Sequence, residues 1–125
     1  MNAEQFAAEQ IRVETITLEW YERLGMDKLG LDVRQRFSEA YADEDHVIIA
    51  DTQYNWEYRD GAITWYLPRC AALSDKEIGE AAVHEFVHCL IASMESNVPD
   101  KHAKLSEFAV ETVTQAILFA THTKE

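Results

Sequence analysis

The stretch from Leu73 to Asp100 constrains this chain most, because it reads as a helix from both ends and carries two histidines on one face. Leu73-Ser74-Asp75-Lys76-Glu77 has the form of a capping box, with Ser74 as N-cap, Glu77 at N3 and acidic residues in the first turn. Asn97-Val98-Pro99-Asp100 supplies the stop. Between these signals Ile78, Ala82, Val83, Phe86, Val87, Leu90, Ile91 and Met94 make a broad apolar surface, so the helix is expected to be mostly buried. His84 and His88 are four residues apart and therefore lie one above the other, placed to grip a single ion. Glu85 points about 100° away around the helix, close enough to serve as a base but off the ligand pair.

Two imidazoles on the edge of an apolar face need partners, since burying polar groups alone costs free energy. Hydrogen-bonded core histidines are the plainer reading. A catalytic zinc is the sharper one: it lowers the pKa of its water to about 7, and an adjacent carboxylate can take the proton as that water attacks a carbonyl. Such a site has three protein ligands and one open position. The next apolar run, Lys104 to Ala120, contains only two carboxylates, Glu107 and Glu111, spaced to face one direction. Apolar surroundings are a poor place for two unpaired like charges, and a metal removes the difficulty. Glu107 is then the third ligand and Glu111 the carboxylate that accepts the remaining ring N–H of a ligand histidine. Two ordinary glutamates on a solvated helix edge are the plainer alternative. His102, in the connection between the two helices, competes with Glu107 as ligand.

His84-Glu85-Phe86-Val87-His88 followed by Glu107-x-x-x-Glu111 resembles the gluzincin branch of the zincin metallopeptidases, whose pattern is H-E-x-x-H and then a downstream E-x-x-x-D. The match covers residues 74 to about 118. It is nearest in kind to very small single-domain gluzincins and to the short H-E-x-x-H proteins of phage and prophage genomes. Glu111 departs from the pattern, standing where the larger family has Asp. No histidine follows His88 at the short metzincin spacing. The large C-terminal subdomain that supplies a transition-state-stabilising His or Tyr in bigger gluzincins is missing, leaving His102, His122 and Tyr66 as candidates for that part. The resemblance implies a zinc-dependent peptidase acting on a peptide or protein substrate, with zinc on His84, His88 and Glu107, Glu85 as general base and acid, and Glu111 orienting a histidine. A zinc-binding but inactive regulatory protein of phage or bacterial origin is the alternative, and a metal-free structural domain a third.

The remaining sequence is expected to build the scaffold as one domain over residues 1 to 125, with 47% apolar residues and no linker or repeat. Ala3 to about Leu24 reads as a long helix without a breaker until Gly25, and Met26 to Gly30 as a turn. Leu31, Val33, Gln35 and Phe37 alternate with charged residues, which suits a half-buried strand, although Asp32 could instead cap a short helix. Val47 to Ala50, Tyr54 to Tyr58 and Ala62 to Leu67 are strand-like, with a hairpin turn at Arg59-Asp60-Gly61 and Pro68 ending the last strand. The predicted class is α+β: a zincin-like order of N-terminal helix, small mostly antiparallel sheet, His-bearing helix and Glu-bearing C-terminal helix. Ala62 to Leu67 is expected to lie along the cleft and pair with an extended peptide. Trp56, Trp65 and Tyr66 read as core rings.

A net charge of −12, with only 11 scattered Lys and Arg, argues against nucleic acid. The N-terminus shows no basic or apolar leader and no stretch of 18 apolar residues occurs, so a cytoplasmic protein without membrane contact is expected. Cys70 and Cys89 are expected to stay reduced, and Cys89, next to His88, points away from the ligand stripe.

Overall fold

A computed structural model of the chain describes residues 1–40, 48–97 and 99–122. Among them it is a mixed α+β fold: α1 (Ala3–Arg23), β1 (Asp32–Ser38), β2 (Ala50–Asn55), β3 (Asp60–Tyr66), α2 (Leu67–Cys70), α3 (Asp75–Leu90), α4 (Ala92–Glu95), a 3-10 turn (Asp100–His102) and α5 (Ala103–His122). No helix among the described residues is long and apolar enough to cross a membrane.

Local chemistry fixes the helix ends. Asn2 and Gln5 form a capping box at the start of α1. At its other end Gly25 takes φ +67°, and two bonds, Gly25 N–H to Glu22 O and Met26 N–H to Tyr21 O, close a Schellman motif. Ser74 caps α3 reciprocally with Glu77. Arg12 of α1 then ties the start of α3 in place, bonding Asp75 Oδ1 at 2.7 Å, Cys70 O at 2.9 Å and Leu73 O at 3.1 Å. Glu9 and Asp75 hold its guanidinium above its ordinary pKa. The two helices approach closely at Gly79, where a Cβ would meet Trp20 Nε1 at 2.7 Å.

The three-stranded sheet has the order β1-β3-β2, with β1 parallel and β2 antiparallel to β3. The expectation of a mostly antiparallel sheet is corrected to one pairing of each kind. The central place goes to the most apolar strand: Ala62, Ile63 and Trp65 of β3 are buried, whereas β1 carries Arg34 and Arg36 and β2 carries Asp51, Gln53 and Asn55. Polar residues suit exposed edges. Consequently β2, not Ala62 to Leu67, is the edge strand beside α3. The hairpin exists, but its turn spans Trp56 to Arg59, with Asp60 and Gly61 already inside β3. Asn55 Oδ1 accepts from the Glu57 and Tyr58 amides, and Arg59 takes the left-handed position at φ 56°. An Asx turn has replaced the Asp-Gly turn. Leu67 and Pro68 begin the one-turn helix α2 instead of ending a strand. Of the strand-like run Val47 to Ala50, Val47 lies outside the described residues and only Ala50 joins β2. Trp56 is 44% exposed and is no core ring, unlike Trp65.

α3 is the hub. Ile78, Ala82, Phe86 and Cys89 join Val13 of α1 and Ile63, Trp65 and Leu67 in the main core. Val83 and Val87, on another side of α3, pack against Val110 and Leu118 of α5. The sector between holds His84 and His88. The expected long helix breaks at Ile91, whose φ of −109° is not helical, and a four-residue α4 follows.

Candidate metal centre

His84 and His88 stack one turn apart with ring centroids at 5.0 Å, half-buried between the β2 edge and α5. Each ring is held by its own carboxylate. Nδ1 of His84 stands 3.0 Å from Glu111 Oε2, and Nδ1 of His88 stands 2.9 and 3.1 Å from the two oxygens of Glu95. An ionised carboxylate only accepts, so in the neutral ring Nδ1 carries the proton and Nε2 the lone pair. Both Nε2 atoms face Glu107: His88 Nε2 is 3.1 Å from Oε1 and His84 Nε2 is 3.6 Å from Oε2. Lone pair opposed to carboxylate is repulsive unless a second ring proton or a cation lies between them. Among the described residues, two donor groups have all their ligand atoms within 4.8 Å of one another, His84 with Glu85 and His88, and His88 with Glu95 and Glu107. Nitrogen and carboxylate donors of this kind fit zinc.

Glu85 is the buried member, 7% exposed, with Oε2 free of any hydrogen bond. Burial pushes its carboxyl up to about 7; His88 opposes the shift, and Glu107 and Asp51 add to it. A bound cation would pull it back down. Glu85 sits where two cavities meet, one of about 430 Å³ reaching Glu77, Glu80 and Gln115, the other of about 630 Å³ reaching Thr52, Tyr54 and Glu95. Ile48, Ala50, His84 and Glu85 line both, so the groove follows the edge of β2 across the histidines. Among the described residues, neither wall includes Lys or Arg.

His84, Glu85, His88, Glu107 and Glu111 are thus brought together as the sequence suggests. The setting of the two glutamates differs from the expected apolar one, however. Glu107 and Glu111 are 60% and 54% exposed, lying on a solvated strip of α5 and not in apolar surroundings. His102 is exposed in the 3-10 turn and lines neither cavity, so Glu107 is the residue that faces both rings. Tyr66 donates to Asp51 Oδ2 at 2.7 Å and lines neither cavity. That bond raises its pKa. His46 and the side chain of His122 lie outside the described residues. Cys70 and Cys89 are buried and free, and burial pushes both thiols up to about 12.

Glu95 was not legible from the sequence. In a continuous helix, seven residues from His88, it would lie about 10 Å along the axis. The break at Ile91 folds it back, and Ser106 Oγ, 3.1 Å away, fixes its outer oxygen. Tyr54 has no sequence signal either: among the described residues its buried hydroxyl has no hydrogen-bond partner, and the ring lines the larger cavity. No protein-family model, curated protein or solved structure matches the chain.

Proposed function

We propose that this chain is a small zinc-dependent peptidase of gluzincin type, with His84, His88 and Glu107 holding the ion. The observation that carries this reading is that both imidazoles turn Nε2 toward Glu107 while separate carboxylates, Glu111 and Glu95, secure each Nδ1. When bound, zinc supplies Lewis-acid polarisation of a carbonyl and lowers the pKa of a water to about 7.

The side chains divide the rest of the work. Glu111 and Glu95 fix the tautomer and angle of the two rings. Glu85 accepts a proton from the attacking water and returns it to the departing amine, and its burial excludes solvent from that exchange. An extended peptide adds to the β2 edge, which has no strand partner on that side among the described residues, and this lays its backbone across Glu85. The zincin-like character of the fold belongs to this same proposal.

Glu85→Gln tests it. The variant should keep its zinc and lose peptide hydrolysis by about 10²-fold or more. Hydrolysis at the wild-type rate overturns the role of Glu85, and a wild-type protein that binds zinc but cleaves no member of a peptide library favours a regulatory zinc protein.

A further inference from the structure

Among the described residues, α5 buries one side against the rest of the fold. Val110, Thr114 and Leu118 are buried against α3, and the charged residues Lys104, Glu107 and Glu111 fall on the strip beside the metal centre. At 100° per residue the remaining arc, about 140° wide, holds Leu105, Phe108, Ala109, Thr112, Ala116, Phe119 and Ala120, with Val113 at its border. It carries no charge in a chain of net charge −12. It is also open: Leu105 is 65%, Phe108 69% and Phe119 72% exposed. An uncovered patch of this composition marks an interaction surface.

We infer that this face of α5 packs against the same face of a second copy, antiparallel, with Thr112 near the two-fold axis. Three features favour a second copy. The patch is uncharged, so two acidic chains can meet there without opposing carboxylates. A two-fold at Thr112 sets Leu105 against Phe119 of the second copy and Phe108 against Ala116, so each of these pairs offsets a ring against a smaller side chain. A parallel pair would stack phenylalanine on phenylalanine and align the helix dipoles. The area also suits a weak dimer: the two phenylalanines present about 300 Å², and Leu105, Val113 and the small residues add to this while staying short of the ~800 Å² per partner of a standard interface. The metal centre, on the neighbouring strip, stays open to substrate, and this inference does not depend on the peptidase reading.

Sedimentation equilibrium of the full chain at about 100 µM should give twice the chain mass of 14.4 kDa. Phe119→Glu, far from the metal centre, should return the monomer while keeping wild-type helicity and zinc uptake. A milder pair of variants covers the case in which that one misfolds: under oxidation, Leu105→Cys mixed with Phe119→Cys should form a cross-linked dimer, and Leu105→Cys alone should not. A monomeric wild type at that concentration, including one that instead binds phosphatidylcholine vesicles, overturns the inference. So does a dimer indifferent to Phe119→Glu, or self-linking of Leu105→Cys.

Discussion

The two sides of α3 are built differently. Toward the sheet, Ile78, Ala82, Phe86 and Cys89 lock into a core with α1 and β3, and Arg12 and a capping box pin the helix start. Toward α5 the described residues form a smaller cluster, Val83 and Val87 against Val110 and Leu118, with Trp20, Ile91 and Ile117 at its margin. The histidines lie on the seam, so their backbone is set by the strong side while Glu107 and Glu111 arrive on the weak one. A metal shared by His84, His88 and Glu107 would therefore do more than chemistry: it would clip α5 to the scaffold.

The largest effect that can break this comparison is on stability. Phe86→Ala should cost about 3–5 kcal/mol in denaturant unfolding, whereas Leu118→Ala should cost about 2. Equal losses would show that α5 is as firmly held as the sheet. Next comes pH. In the metal-free protein Glu85 has a folded pKa of about 7 against an ordinary 4.5. A raised carboxyl binds its proton more tightly when folded, so its contribution is fully present below about 4.5 and is lost as pH rises through 7. That difference amounts to about 3 kcal/mol. Urea midpoints of the metal-free protein should fall between pH 5 and pH 8, and Glu85→Gln should flatten this part of the profile.

How much of this was readable in the residues follows the same division. Ser74 and Glu77, the alternation of Val33, Gln35 and Phe37, and the helix stop at Gly25 act locally, and each lies where its own chemistry puts it. The strand order does not act locally. Nothing in Ala50 to Asn55 says that it will take the edge, because that depends on β1 pairing parallel to β3. The same holds at the site. The i, i+4 spacings of His84 with His88 and of Glu107 with Glu111 survive folding, but Glu95 reaches His88 only through the break at Ile91, which carries no glycine or proline to announce it.

Glu95 sharpens the comparison at smaller scale. Glu95→Gln and Glu111→Gln should each weaken zinc binding about 10- to 100-fold by competition titration with a chelator, with no loss of metal-free stability. An unchanged affinity in Glu95→Gln would leave Glu111 as the single orienting carboxylate. The smallest effect is at the helix start, where Ser74→Ala should lower stability by about 1 kcal/mol without altering zinc affinity.

The most direct test of the metal centre is the zinc content of purified protein, loaded with zinc and freed of excess, for wild type, His84→Ala and Glu107→Ala. One equivalent in wild type and clear loss in both variants is the predicted result; wild type that takes up no zinc would contradict it.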